Sequence, residues 1–482
     1  MRSHPATTAV PDATGQAARL AARLPLELME EVVSAAGGRE KRRRLLPAVA
    51  VMAFVLGCAL FEGEGYREVA RKLAGPLAQA AGRPRWRVPG APALCQARAR
   101  LGPRPFELLF GRLACPLATA ATPGAAFGRA VLLLAADGTM LDVPASAANI
   151  AAFGPPPSRG GQGGCPQVRL VTLAGCGTRG LAGAAFGPRK GQGTSEQALA
   201  CQIAASSSLG PGMLVIADRN FSGYRVITAF TATGADVLIR ARSSARLPVV
   251  KVLPDGSYLS VLAHPRASRR RTVRNGYRRR RDSTLPPDTG LVAGLPVRVI
   301  EADITATPAT GTPRTTRYRL ITTLLDPATA PAIQITALYA ERWEAETGYR
   351  ELKTFLRGTR RVLRSQRPDG IRQEIYALLC THQLIQATRA TAAHAAGLDP
   401  DRISYTVTLR ALRRHLTRPR PASTPRAVLR EILSQLLPLH RRQRSYPRAI
   451  GSSTAKRRAL RATVTNPVTY TITITPPPTR PK

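Results

Sequence analysis

Between Tyr339 and Lys353 the chain reads Tyr-Ala-Glu-Arg-Trp-Glu-Ala-Glu-Thr-Gly-Tyr-Arg-Glu-Leu-Lys. Wound as an α-helix at about 100° per residue, the stretch puts Tyr339, Arg342, Glu346 and Lys353 within an arc of roughly 60°. One phenol, one carboxylate and two cations then share a face, while Glu341, Glu344 and Glu351 project elsewhere. A lone acid among cations suits phosphodiester chemistry. The acid can hold a metal ion, and the cations can hold phosphate oxygens. The same residues would also serve a solvated helix laced with i, i+4 ion pairs, so the stripe needs partners elsewhere in the chain.

Two aspartates are candidates. Asp137 follows the apolar run Val131–Ala136, and Asp218 follows Met213–Ala217. Uncharged runs of this kind read as strands buried on both faces, and the ends of such strands are where sites gather. If the strands are neighbours and Glu346 arrives on a helix packed alongside, three acids converge. Like charges so close raise one another's pKa, and divalent cations relieve that cost. Two Mg²⁺ ions would also activate a water or 3′-hydroxyl and stabilise the leaving oxygen of an in-line displacement. Each aspartate has a plainer reading as well: Asp137-Gly138 is a common turn pair, and Asp218 ahead of a helix could be its cap.

The rest of the chain must place these groups. Its 482 residues are too many for one ordinary core, so two or three domains are expected. Lys and Arg number 71 against 29 Asp and Glu, a formal charge of +42. Such an excess calls for a polyanionic partner, with nucleic acid the obvious candidate. Seven scattered cysteines and six histidines show no zinc spacing, and the odd cysteine count argues against a disulfide framework. No apolar core follows the first basic residues, so no signal peptide is read. The uncharged stretch Leu45–Phe61 holds Pro47 and Gly57 and falls short of a membrane span. A soluble cytoplasmic protein, with no membrane partner, is expected.

Residues 1–20 read as a disordered tail. Residues 21–125 read as a helical N-terminal domain, with helices at Leu24–Val33, Leu45–Phe61, Tyr66–Ala74 (ended by Gly75-Pro76) and Ala93–Gly102. The last carries Gln96, Arg98 and Arg100, which makes the final pair resemble a helix-turn-helix whose second member reads a DNA groove. From residue 126 strands and helices alternate: strands at Val168–Ala174, Leu181–Phe186, Met213–Ala217 and Asp236–Ala241, and helices at Ser195–Ser206 and Ser222–Thr231. Residues 242–316 interrupt the alternation with short strand-like pieces and a loop, Arg266–Arg281, in which nine of sixteen residues are arginine. A helix at Arg372–Ala396 closes a domain spanning 126–395. Residues 396–482 form a basic region with helical patches at 406–416 and 426–439 and a disordered-looking end. From Ile403 onward it holds seventeen Lys and Arg but one acid, Glu431.

Tyr339, Arg342, Glu346 and Lys353 match without a gap the pattern Y-x2-R-x3-E-x6-K. With Asp137 in Ala-Asp-Gly-Thr and Asp218 in Ala-Asp-Arg-Asn-Phe-Ser-Gly-Tyr, the chain resembles the DDE transposases of the insertion element 4 family. Gly65–Val69 and Ala93–Arg98 resemble that family's N-terminal domain, so the likeness covers about residues 20–395. It implies an α/β fold with a ribonuclease H-like mixed sheet flanked by helices and interrupted by a β-rich insertion. It also implies cut-and-paste transposition: binding to terminal inverted repeats, cleavage, and joining of 3′ ends to a target. By the same likeness Asp137, Asp218 and Glu346 would be catalytic and would hold two Mg²⁺ or Mn²⁺ ions. Arg342 and Lys353 would contact phosphates, Tyr339 would position the terminal strand, and a homodimer would hold two DNA ends. A bacterial, nucleoid-associated protein is implied. The chain departs from relatives that stack an extruded base on an aromatic of the insertion. Both tryptophans, 86 and 343, lie outside it; Tyr277, in the arginine-rich loop, is a candidate, with a plain solvated loop the other reading. Ala145-Ser146-Ala147 also stands where relatives often carry polar or acidic residues. Two other readings are a DNA-binding relic that no longer cuts and a nuclease of the same fold without a joining step.

Overall fold

A computed structural model of the protein describes residues 26–38, 45–82, 86–128, 131–156, 164–264, 294–308, 312–358, 362–417, 425–438 and 468–477. The N-terminal tail, the basic cluster 39–44, the arginine-rich loop with Tyr277, and residues 439–467 lie outside the described residues. The chain divides into two compact units. One comprises Met1–Ser208 with Glu344–Leu437, and the other Leu209–Trp343 with Pro438–Lys482.

The first unit opens with α1 (Leu26–Ala35), α2 (Ala48–Leu60), α3 (Tyr66–Lys72), α4 (Ala74–Ala80), α5 (Ala91–Leu101) and α6 (Arg104–Leu113). Helix α2 (AVAVMAFVLGCAL) is apolar on every side and correspondingly buried nearly throughout, as the centre of a helical core. Its Gly57 admits a close neighbour, since a Cβ there would stand 2.2 Å from Leu73 Cδ1. Gly75-Pro76 does not end the helical region as expected; it opens α4. Proline is tolerated in a first turn, where its missing N–H has no partner to lose. The groove-reading role for α5 also fails at Arg98, whose side chain turns inward. Its guanidinium meets Tyr66 Oη, Gln373 Oε1 at 3.3 Å and Ser365 Oγ at 3.3 Å. Gln373 answers by donating to Arg98 O and Gly102 O, 2.8 and 2.7 Å.

Those helices share one core with a sheet: β1 (Ala126–Phe127), β2 (Val131–Asp142), β3 (Gln167–Gly175) and β4 (Leu181–Pro188), all paired antiparallel. Helix α7 (Ala147–Phe153) follows β2, and α8 (Glu196–Ser206) packs on β3 and β4. Ser195 caps α8, accepting from Ala198 N at 3.2 Å. The second half of the unit is helical: α11 (Trp343–Arg350), a π-helical turn (Glu351–Leu356), α12 (Pro368–Ala395), a 3-10 turn (Pro400–Arg402), α13 (Tyr405–Thr417) and α14 (Pro425–Leu433). Helix α12 lies against α2 and α6. The N-terminal helices thus fall in one compact unit with residues 126–208 and 344–437.

The second unit is built on β5 (Met213–Ala217) and β6 (Asp236–Arg240), parallel and joined through α9 (Tyr224–Thr231). Beyond β6 the order continues antiparallel through β10 (Arg314–Thr322), β9 (Gly294–Pro308), β8 (Tyr258–Ala263) and β7 (Lys251–Val252). Strands β7, β8 and β9 fall within the stretch read as β-rich, 242–316. The C-terminal segment contributes β11 (Val468–Ile474), antiparallel to β9, where a disordered end was expected. Its alternating Thr and β-branched residues suit a pleated ladder better than the surrounding prolines and charges indicate. Helix α10 (Ala332–Leu338) runs into a 3-10 turn, Tyr339–Arg342. The fully buried Arg298 fixes its start. Arg298 bonds Ser257 Oγ (2.8 Å), Ala330 O (2.6 Å) and Asp255, whose Oδ2 accepts from Ala332 N at 2.8 Å. Burial alone would raise the Asp255 pKa, but Ser257, Ala332 and Arg298 hold the carboxyl below its ordinary range.

Candidate active site

Asp137 stands in the middle of β2, not at its end. Asp137-Gly138 is locally a turn pair, but pairing with β3 continues through it: Asp137 opposes Thr172, and the register runs on to Asp142 opposite Gln167. Asp137 is half-buried and its Oδ1 accepts from Gly138 N at 2.9 Å. Gly138 leaves room for the Glu196 side chain of α8, whose Oε1 would lie 2.8 Å from a Cβ built there.

The 339–353 stretch is not one uniform helix. A 3-10 turn, an α-helix and a π-helical turn follow one another, so the single stripe computed at 100° per residue does not survive as drawn. Tyr339 and Arg342 belong to the second unit, and Glu346 and Lys353 to the first. In the first unit, the Glu346-bearing helix lies against β2. Tyr349 donates from its hydroxyl to Asp137 O at 2.5 Å. Lys353 donates to Thr139 Oγ1 at 3.0 Å and Met140 O at 3.1 Å. Burial, then repulsion from Arg357, pushes the Lys353 pKa down, with Asp142 opposing. An ammonium has three donors, and β2 takes two of them. The structure therefore brings Lys353, and Tyr349 of the helix that bears Glu346, to the segment that carries Asp137.

In the second unit, Asp218 follows β5 and caps the short 3-10 turn Arg219–Phe221, its Oδ1 accepting from Asn220 N at 2.8 Å. The plain capping role is thus present. The 3-10 turn Tyr339–Arg342 packs on β5. Tyr339 is buried edge-on to Tyr318, ring centroids 5.9 Å apart, and Arg240 covers Tyr318 at 4.3 Å. Burial pushes the Tyr339 phenol up to about 12, with Arg342 pulling it down and Asp218 pushing it up. Arg342 stacks on the exposed Trp343 ring, 4.6 Å from its centroid. Asp137, Asp218 and Glu346 are oxygen donors of the kind Mg²⁺ and Mn²⁺ prefer. Among the described residues, no three His, Cys, Asp or Glu side chains form a group that could hold a metal ion. Nor, among them, is any helix long and apolar enough to cross a membrane.

Residues 132–384 match the family described as Transposase DDE domain, which is more than half of the chain. The chain belongs to the DDE transposases. Residues 14–111 of this transposase match the family described as Insertion element 4 transposase N-terminal. The chain is 27% identical over 432 residues to the transposase InsG for insertion sequence element IS4 of Escherichia coli (strain K12), covering 88% of this chain and 89% of that one. Among solved structures it resembles the piggyBac transposase synaptic complex with hairpin DNA at 10% identity, with a TM-score of 0.41 over 94% of this chain and 84% of that chain. The mixed α/β architecture of the transposase is ribonuclease H-like, as the DDE domain implies.

Sequence reasoning missed how the transposase anchors the helix that bears Glu346. Arg179, in the β3–β4 turn, is 2% exposed. Its guanidinium meets Glu344 at 2.7 Å, Glu351 at 3.2 Å and Asp401. Glu344 and Glu351 flank Glu346, and were read from the sequence as merely pointing elsewhere. Burial alone would lower the Arg179 pKa, but the three carboxylates more than offset it and keep the charge. Glu351 is shared with Arg389 (3.5 Å) and accepts from Gln386 Nε2 (2.7 Å). His382 lies beside them, Nδ1 3.2 Å from Tyr405 Oη. No local pattern marks Arg179, since its partners lie far along the chain. Its backbone does: φ is +58°, a region that L-residues seldom occupy.

Proposed function

We propose that this transposase cuts DNA at the ends of an insertion sequence and joins the 3′ ends to a target, with Asp137, Asp218 and Glu346 as its catalytic carboxylates. The observation that carries the reading is the contact with β2 made at Asp137 by Tyr349 of the Glu346-bearing helix and at Thr139 and Met140 by Lys353 of the turn that follows it, within a chain of this family. The three acids would hold two divalent ions, Mg²⁺ or Mn²⁺. When bound, such ions polarise the phosphate and make an attacking water or 3′-hydroxyl nucleophilic at neutral pH.

The protein's own groups do the remaining work. Arg342 offers a planar fork for phosphate oxygens, and Lys353 a point charge. The Lys353 ammonium is steered by Thr139 and Met140, two and three residues past Asp137. Tyr339, whose phenol burial pushes up, stays protonated near neutrality and would position the terminal strand. The positive excess supplies phosphate contacts to double-stranded DNA, both element ends and target. Two copies would hold two ends in one synaptic complex, in the bacterial cytoplasm at the nucleoid, and the N-terminal helices would contribute to end binding.

The test is cleavage and strand transfer on a plasmid carrying the DNA that flanks the coding region on both sides, with Mg²⁺ or Mn²⁺. Asp137→Asn, Asp218→Asn and Glu346→Gln should each lower cleavage by about 10³-fold or more while leaving end binding intact. Cleavage at the unsubstituted rate by any one of them removes that residue from the site. Binding without nicking by the unsubstituted protein would point to a relic, and free ends without joining to a nuclease.

A further inference from the structure

Tyr349 does something a buried phenylalanine could not. Its hydroxyl accepts from Thr172 N at 3.1 Å and Thr172 Oγ1 at 2.9 Å, and donates to Asp137 O at 2.5 Å. Asp137 and Thr172 face each other across the β2–β3 ladder. In an antiparallel pair, such residues either exchange direct N–H···O=C bonds or make none with each other. Here the phenol stands between the Thr172 donor and the Asp137 acceptor and bonds both. A tyrosine hydroxyl with two bonds received and one given has no capacity left. Its position is therefore fixed from three directions, inside a core that also holds Leu352 and Leu356.

The two residues so joined are not arbitrary. Asp137 is the β2 residue read as catalytic, and Tyr349 lies one helical turn after Glu346 on the same helix. Resting on that reading of the site, we propose that Tyr349 is a positioning residue: its hydroxyl fixes the spacing between Asp137 on β2 and Glu346 on α11. Carboxylates that share a metal site must keep a set separation. A misplacement of about 1 Å can cost on the order of 10²-fold in rate. Groups that orient ligands from behind typically cost 10–100-fold in metal affinity or activity when removed. Arg179 anchors the same helix by charge, whereas Tyr349 ties it to the Asp137 backbone itself.

Tyr349→Phe in the full-length protein tests this, since it keeps the ring and removes the hydroxyl. Three quantities are read: Mn²⁺ affinity of the DNA-free protein by electron paramagnetic resonance, the Mg²⁺ concentration that half-saturates cleavage of the flanking-DNA plasmid, and the affinity for that DNA. The expected result is an unchanged DNA affinity, Mn²⁺ affinity weakened about tenfold, and a Mg²⁺ midpoint raised by a similar factor. Thr172→Val removes one of the three bonds and should shift both metal readings in the same direction by less. It decides the matter if Tyr349→Phe fails to fold. A lowered melting temperature with both metal readings unmoved would overturn the proposal and leave the hydroxyl a purely structural bond. Glu346→Gln separates the two levels. If it binds Mn²⁺ and cleaves like the unsubstituted protein, the site itself is misassigned. If it is inactive while Tyr349→Phe is unaffected, only the positioning role falls.

Discussion

Replacing Arg179 with methionine removes one cation from three buried carboxylates. The Glu344, Glu351 and Asp401 side chains are 14%, 3% and 6% exposed, so water cannot take over the role. Glu351 keeps Arg389 and Gln386; Glu344 and Asp401 lose this guanidinium and face other buried acids. Removing one partner of a buried ion pair costs about 3–5 kcal/mol, and Arg179→Met should fall in that range. Arg179→Lys retains a charge but not the fork that reaches three acids, so it should cost roughly half as much. Arg179→Gly loses the charge yet relieves the positive φ, and should be about 1 kcal/mol less costly than Arg179→Met. The assay is denaturant unfolding followed by Trp86, which belongs to the first unit, in a Trp343→Phe background that silences the other tryptophan. A loss below about 1 kcal/mol for Arg179→Met, or equal losses for Met and Lys, would refute the view that this network holds the Glu346 helix in place.

Two further outcomes follow. Burial pushes the His382 pKa down to about 4, so between roughly pH 6.5 and 4 the unfolded chain takes up a proton that the folded chain refuses. Stability of the first unit should fall as pH drops through that window, by on the order of 3 kcal/mol, and His382→Gln should flatten that part of the profile in pH-dependent unfolding. Binding to the flanking DNA should weaken by about 10³-fold or more between 50 and 200 mM salt, measured by fluorescence anisotropy; a flat response would contradict phosphate-driven binding.

Much of the architecture was legible because it rests on local signals. The apolar runs around Val171 and Val215 state their elements within a few residues. Where the reading failed, a distant partner decided. Asp137-Gly138 is a turn pair until β3 pairs through it to Asp142. Thr469 to Ile474 looked like part of a charged tail, but β9 gives it a ladder. Arg98 looked like a groove reader on a basic helix, yet Gln373, 275 positions later, draws it inward. The spacing of Tyr339, Arg342, Glu346 and Lys353 pointed to the family more surely than to a geometry. Three helix types follow one another where a single ideal helix is expected. The hydroxyl of Tyr349 and the charge of Arg179 carried no sequence signal, because their meaning lies in Thr172, Asp137 and Asp401, brought near only by folding.

The central claim is that Asp137, Asp218 and Glu346 hold divalent ions together. Loading the protein–DNA complex with Fe²⁺ in place of Mg²⁺, then adding ascorbate and peroxide, cuts the backbone beside the ions' ligands. The account predicts cuts near all three positions, all suppressed by excess Mg²⁺. Cuts confined to one of them, or falling elsewhere, would contradict it.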